Sequence, residues 1–291
     1  MSQIISALSE VSADYKALFV DLWGCVHNGI TAYPDAVAAL QAYRKRGGVV
    51  VLVTNSPKPR AGVAEQLSQF GVPDDAYDTI STSGDSARAA MFTGAVGSKV
   101  YFMGEWERDA GFFEPMKVIH DPVEITRVPL KEAEGIVCCG PFDTMADPEV
   151  NRAEFLYAKQ MGMKLLCANP DIIVDRGEVR EWCAGALAKL YTEMGGESLY
   201  FGKPYPPIYD LARRRLSEIG HDVSDREILA IGDGPHTDIS GGMGEGVDTL
   251  FITGGLAAKD TKTDQQPDPA ALETYLAQEQ VAPTYSIGFL R

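Results

Sequence analysis

Acidic residues follow two short apolar runs in this sequence. Residues 18–20 lead directly into Asp21, and residues 229–232 lead into Asp233, with Asp238 shortly after. Such runs are typical of buried parallel strands, and open α/β sheets bind ligands beyond the carboxyl ends of those strands. Carboxylates converging there would repel one another unless a hard divalent cation lay between them, and oxygen ligands with water suit magnesium. These residues therefore favour a magnesium site, although Asp21 taken alone could simply cap its strand.

Two further segments carry groups that could hold an anion. Residues 51–53 form another apolar run, which ends at Thr54 and Asn55. Lys203 stands between two turn-forming residues, Gly202 and Pro204. A lysine in such a turn is commonly a solvated surface residue, so its interpretation depends on the other segments.

The order of these segments along the chain resembles the signature of the haloacid dehalogenase (HAD) superfamily of phosphohydrolases. The variant is the branch with a large α/β cap (class IIA), which includes sugar phosphatases of the nitrophenyl-phosphatase and pyridoxal-phosphatase types. The resemblance covers nearly the whole chain. It implies an α/β fold with a Rossmann-like parallel-sheet core and an inserted α/β cap domain. It also implies a magnesium-dependent phosphatase of small phosphorylated metabolites, in which Asp21 would form an aspartyl-phosphate.

The resemblance gives each motif a role. Thr54 and Asn55 would hold the phosphoryl oxygens, and Lys203 would balance the charge on Asp21 and the phosphate. Asp238 would act on the metal shell through water, or alternatively would cap the following helix. The metal-binding residues so implied are Asp21, Trp23 through its backbone carbonyl, Asp233 and Asp238.

Trp23 departs from the family pattern, which has a second aspartate two residues after the first. In the family that acid protonates the leaving oxygen and then activates water, and an indole can do neither near neutral pH. Help of this kind is worth roughly 10²–10⁴-fold in rate. His27 and His236 are alternative proton donors, although loop histidines are commonly only solvated.

Trp23 keeps a second hypothesis open, a phosphate- and metal-binding regulatory module with little or no turnover. A third hypothesis is halide displacement by Asp21. That reaction needs no metal and gains nothing from clustered acids, so Asp233 and Asp238 argue against it.

The apolar runs predict two α/β units. Residues 1–83 and 196–291 would form the core, with a short helix before the first strand and a strand at 199–201 leading back to the core. Residues 84–195 would form the cap. Asn169-Pro170-Asp171 and the helix start at 183–186 fall where a cap would face its substrate. Their small residues would let a helix N-terminus approach an anionic or polar group, or would let the cap pack tightly.

Composition limits the partners. The 291-residue chain is 45% hydrophobic and 23% charged, as in ordinary globular proteins, and its formal charge of −15 argues against nucleic acid and anionic membranes. The five cysteines lack zinc-site spacing and predict reduced core thiols in a cytoplasmic protein. We also expect no secretory signal and no membrane helix. The expected partner is a small phosphorylated metabolite, and a homodimer is allowed.

Overall fold

A computed structural model describes residues 2–116, 119–176 and 179–291 of the chain. In chain order its strands are β1 (Gln3–Ile4), β2 (Ala17–Val20), β3 (Val49–Thr54), β4 (Thr79–Thr82), β5 (Lys99–Met103), β6 (Thr126–Arg127), β7 (Gly135–Cys138), β8 (Lys164–Cys167), β9 (Ile173–Arg176), β10 (Val179–Trp182), β11 (Glu197–Tyr200), β12 (Ile228–Gly232), β13 (Asp248–Ile252) and β14 (Tyr285–Ile287). The α-helices are α1 (Pro34–Lys45), α2 (Arg60–Phe70), α3 (Ser83–Phe92), α4 (Trp106–Asp109), α5 (Arg152–Gln160), α6 (Ala184–Glu193), α7 (Pro206–Glu218), α8 (Ser240–Glu245) and α9 (Pro269–Glu279).

The larger sheet has the strand order β1-β14-β13-β12-β2-β3-β4 among the described residues. Strand β2 lies near its middle and pairs in parallel with both β12 and β3. Every residue of these three strands is buried, as expected for a parallel sheet covered on both faces. Helix α1 begins at Pro34, a residue that suits the first turn of a helix. Ala36, Leu40 and Tyr43 form its buried face, with which it covers part of this sheet.

The smaller sheet has the order β11-β8-β7-β5-β6 and is parallel throughout the part of the chain that the structure describes. Strands β9 and β10 pair separately as an antiparallel ribbon. The apolar cores on this sheet include Cys138, Cys139 and Cys167. Together with Cys25 and Cys183 these cysteines are buried and free of disulfide bonds.

The chain divides into two compact units. The larger unit comprises Met1–Thr54, Ala64–Ser81 and Tyr209–Arg291, and the smaller unit comprises Asn55–Val63 and Thr82–Ile208. These bounds differ in detail from the predicted core and cap, and the domain division stays a prediction. No helix within the described residues is long and apolar enough to cross a membrane.

Two details of the predicted organisation are wrong. The sequence predicts that the strand at 199–201 belongs to the core, but β11 pairs with β8 in the smaller sheet, where Tyr200 lies opposite Cys167. The N-terminal segment was expected to be a helix. It forms β1, which pairs with β14, and two short 3₁₀ turns, because its backbone bonds to the chain end, with Leu8 N–H donating to the Arg291 carbonyl at 2.8 Å.

Candidate active site

The predicted acids Asp21 and Asp233 lie together in the larger unit. Their strands, β2 and β12, are adjacent and parallel, so both acids leave the sheet at its carboxyl edge, and Asp21 N–H donates to the Ile231 carbonyl at 2.8 Å. Both side chains are buried. A carboxylate oxygen of each and the Cys25 sulfur all lie within 4.8 Å of one another. Cys25 was not predicted. The feature of the sequence that could have indicated Cys25 as a site residue is its position directly after Gly24, in the loop that follows Asp21.

Glycines leave the room that the Asp233 carboxylate occupies. A Cβ atom at Gly24 or at Gly255 would overlap this carboxylate. Gly24 also has a φ of +76°, which few residues with a side chain adopt. Leu256 N–H donates to Asp233 Oδ2 at 3.2 Å. The carboxylate of Asp233 is therefore held by backbone on several sides.

The acid cluster fits the metal that the family resemblance implies. Asp21 and Asp233 present buried carboxylate oxygens, which are the hard donors that Mg²⁺ prefers. A backbone carbonyl at position 23 supplies the same kind of donor whatever its side chain. The Cys25 sulfur is a softer donor and adds no affinity for Mg²⁺.

A tight loop holds the half-buried Trp23. The indole packs so closely over Gly29 that a Cβ there would overlap it, and its ring meets the His27 ring edge-on at 5.3 Å. Asn28 Oδ1 accepts hydrogen bonds from the N–H groups of Ile30 and Thr31, which closes a turn at Asn28-Gly29. The position two after Asp21 is thus occupied by a packed ring with no titratable group.

His27 is buried, with 3% of its surface exposed. Burial lowers the pKa of His27 to about 4, and its Nδ1 accepts a hydrogen bond from Gly29 N–H at 3.0 Å. The ring is therefore neutral at pH 7, which argues against His27 as the replacement acid. His236 is mostly exposed and its Nε2 lies 2.6 Å from Glu279 Oε2, so it is engaged at the surface.

Asp238 and Thr54 lie in the larger unit near the ends of their strands. Asp238 Oδ2 accepts a hydrogen bond from Gly234 N–H at 3.0 Å, within the π-helical turn Pro235–Ile239 that follows β12. This bond reaches back along the chain and does not cap the following helix, because the N-cap of α8 is Ile239, without a side-chain cap bond. The action of Asp238 on a metal shell stays a prediction. Thr54 is buried at the last position of β3.

Asn55 and Lys203 meet in the smaller unit. Lys203 N–H donates to Asn55 Oδ1 at 2.7 Å, and Asn55 Nδ2 donates to the Lys203 carbonyl at 3.1 Å. The same Nδ2 donates to Asp171 Oδ1 at 2.8 Å. Lys203 is buried, with 4% of its surface exposed, so it is not the solvated turn lysine considered above. The predicted phosphate-binding pair is thus joined to a residue of the Asn169-Pro170-Asp171 segment.

Known proteins resemble this chain over most of its length. Two family models match: a haloacid dehalogenase-like hydrolase model over residues 18–114 and a HAD-hydrolase-like model over residues 200–278. A crystal structure of a haloacid dehalogenase-like hydrolase from Brucella suis is 38% identical, covers 99% of this chain and 100% of its own, and has a TM-score of 0.85. The chain therefore belongs to the haloacid dehalogenase-like hydrolase family. It is a HAD-type hydrolase with a Rossmann-like core and a cap domain, which confirms the predicted fold class.

Two other relatives have more specific names. The 5'-nucleotidase YutF of Bacillus subtilis is 27% identical over 263 residues, which cover 88% of this chain and 93% of that protein. The glycerol phosphate phosphatase Rv1692 of Mycobacterium tuberculosis, crystallised with magnesium, is 22% identical with a TM-score of 0.64, covering 95% of this chain and 76% of its own. The second likeness bears on the fold alone.

Proposed function

We propose that this hydrolase is a magnesium-dependent phosphatase of small phosphorylated metabolites, acting through an aspartyl-phosphate on Asp21. The observation that carries the proposal is the buried pair Asp21 and Asp233 at the ends of β2 and β12. Two buried carboxylates held so close repel each other, and a cation between them would offset that repulsion. The Bacillus subtilis relative is named as a 5'-nucleotidase, which supports a phosphate monoester as substrate.

The proposed reaction has two steps. An Asp21 carboxylate oxygen attacks phosphorus and the bond to the leaving oxygen breaks; water then hydrolyses the aspartyl-phosphate and releases inorganic phosphate. Asp21, Asp233 and the Trp23 carbonyl would hold magnesium, which when bound neutralises charge on the nucleophile and the phosphate, and Asp238 would orient its water ligands. The Thr54 hydroxyl and the Asn55 backbone N–H would hold phosphoryl oxygens, and Lys203 would balance the remaining charge.

The proposal also specifies the leaving group. Because Trp23 replaces the usual acid and His27 is neutral, the leaving oxygen departs without a proton from either residue. The aryloxide of an aryl phosphate and the carboxylate of an acyl phosphate leave readily without a proton, whereas the alkoxide of an alkyl phosphate does not. We therefore infer a preference for aryl or acyl phosphates over sugar and other alkyl phosphates.

A metabolite-phosphate screen with and without Mg²⁺ tests the function. We expect magnesium-dependent release of phosphate from aryl or acyl phosphates, abolished in Asp21→Asn. Turnover that is independent of Mg²⁺, or unchanged in Asp21→Asn, would contradict the mechanism. Magnesium and phosphate binding without turnover would instead favour the regulatory-module hypothesis, which Trp23 alone supports.

We further propose that the smaller unit carries the cap that selects the substrate, and that the protein acts in the cytoplasm without nucleic-acid or membrane partners. All five cysteines are buried and none forms a disulfide bond, which supports a reducing compartment.

A further inference from the structure

The side chain of Asn55 makes a two-point contact with the backbone of Lys203. Its Oδ1 accepts the Lys203 N–H and its Nδ2 donates to the Lys203 carbonyl, so the amide bonds to this residue as a neighbouring strand would. We call this contact the Asn55–Lys203 clamp. The approach is close because Gly202 precedes the lysine, and a Cβ at Gly202 would overlap Asn55 Oδ1. The clamp therefore sets where the Lys203 backbone lies within the smaller unit.

Asp171 holds the clamp from its other side. A side-chain amide has two N–H groups, and Asn55 uses one for the Lys203 carbonyl and the other for Asp171 Oδ1 at 2.8 Å. An amide rotated by 180° would turn its oxygen toward both the Asp171 carboxylate and the Lys203 carbonyl. A hydrogen bond to a charged acceptor is also about twice as strong as one between neutral groups. The Asp171 carboxylate thus opposes rotation of the amide that the clamp depends on.

Asp171 is itself fixed by its own backbone. Its N–H donates to Asn169 Oδ1 at 3.0 Å, and its carbonyl accepts the N–H of Gly185, in the first turn of α6, at 3.1 Å. A Cβ at Gly185 would overlap the Pro170 carbonyl, so this helix start lies tight against the loop that follows β8. The small residues at 183–186 therefore serve close packing, the second of the two interpretations offered from the sequence. The carboxylate of Asp171 projects from a braced loop.

We propose that Asp171 is a positioning residue for Lys203: its carboxylate holds the Asn55 amide, and the amide holds the lysine backbone. The inference rests on the proposed function for the role of Lys203 in binding the phosphoryl group. It extends the site to a residue 116 positions away from Asn55 in the sequence, in the segment that the sequence left open between ligand contact and packing.

Three variants test the proposal in the full-length protein. Asp171→Ala removes the acceptor, whereas Asp171→Asn keeps a carbonyl oxygen that can accept from Asn55 Nδ2. Asp143→Ala is the matched control, because Asp143 follows the neighbouring strand β7 and its Oδ1 accepts a local bond from Met145 N–H at 2.9 Å. We expect Asp171→Ala to lower kcat for an aryl phosphate by about 10- to 100-fold, since small displacements of a positioning group have effects of that size. Asp171→Asn should recover most of the loss, and Asp143→Ala should match the wild type.

A second measurement does not depend on turnover. In ¹⁵N NMR spectra the side-chain NH₂ of Asn55 should be protected from exchange in the wild type and in Asp171→Asn, and less protected in Asp171→Ala. This measurement separates failure of the clamp from failure of the phosphatase proposal, because it reports on Asn55 even in a protein without activity. A double-mutant cycle adds a kinetic check: in an Asn55→Ala background, Asp171→Ala should have little further effect on kcat.

The proposal is overturned if Asp171→Ala behaves like Asp143→Ala, or if Asp171→Asn loses as much activity as Asp171→Ala while both stay folded. Additive effects in the double-mutant cycle would equally overturn it. If Asp171→Ala does not fold, Asp171→Ser takes its place, because serine is too short to reach Asn55, and the same outcomes decide.

Discussion

Replacing Trp23 with aspartate should restore a general acid at the position where the family has one. The proposed mechanism leaves the departing oxygen without a proton donor, so alkyl phosphates are the substrates that should respond. Aryl phosphates need little protonation and should change little. The expected result of Trp23→Asp is therefore a gain in kcat that depends on the leaving group.

The size of the gain follows from the chemistry, and its cost follows from the packing of the indole. General acid catalysis is worth roughly 10²–10⁴-fold, or about 3–5 kcal/mol in the barrier. The variant loses the edge-on contact with His27, worth about 0.5–1.5 kcal/mol, and the packing over Gly29. Since Trp23 is only half-buried, we expect the free energy of unfolding to fall by about 1–3 kcal/mol. The variant should therefore stay folded while its alkyl-phosphate kcat rises.

The assay compares p-nitrophenyl phosphate with glycerol phosphate at saturating Mg²⁺, with thermal unfolding measured in parallel. Trp23→Asn is the matched control, because it removes the same ring and has nearly the shape of aspartate but no acid. The reasoning fails if the Asp and Asn variants hydrolyse glycerol phosphate equally fast. It also fails if the wild-type protein already hydrolyses both substrates at similar rates, because another group would then supply the proton.

Two further predictions concern the metal and the buried histidine. Asp233→Asn should weaken Mg²⁺ binding in calorimetry by at least about tenfold, since even the outer-shell partners of metal ligands are worth roughly 10–100-fold. The control Asp248→Asn, at the first residue of the neighbouring strand β13, should leave Mg²⁺ binding unchanged. Equal affinities in the two variants would remove Asp233 from the metal site. Burial lowers the pKa of His27 in the folded protein to about 4, against 6.5 in the unfolded chain. Between these two values the unfolded chain binds the proton and the folded protein does not. The free energy of unfolding should therefore decrease as the pH falls from 6.5 to 4, by up to about 3 kcal/mol. Urea unfolding at pH 7 and pH 4.5 should show a smaller pH dependence in His27→Gln than in the wild type, and equal dependence would show that His27 titrates normally.

The sequence predicted those site residues whose position depends on local pattern. Asp21, Thr54 and Asp233 each follow an apolar run, and a run of that kind indicates both a strand and the end at which it stops. Adjacency of β2 and β12 then brings Asp21 and Asp233 together. The family resemblance added the order of the motifs and the departure at Trp23.

The remainder of the site depends on contacts between distant segments. Nothing near Asn55 indicates Asp171, because their bond requires the loop after β8 to reach residue 55. Similarly, the apolar pattern of β11 predicts a strand but does not say which sheet it joins. His27 looked like a loop histidine, and only its packing against Trp23 and Phe70 shows that it is buried and neutral.

The strand order has a consequence for how the chain is made. Strand β2 emerges from the ribosome well before its neighbour β12, which follows only after Ile208, when nearly all of the smaller unit has been synthesised. Until then one edge of β2 has no partner, and β1 waits still longer for β14. Unpaired apolar strand edges invite pairing between chains, so the nascent protein is exposed to aggregation throughout that interval. Slow translation after residue 208 would prolong that exposure, and chaperone binding is expected to concentrate on the half-built larger sheet.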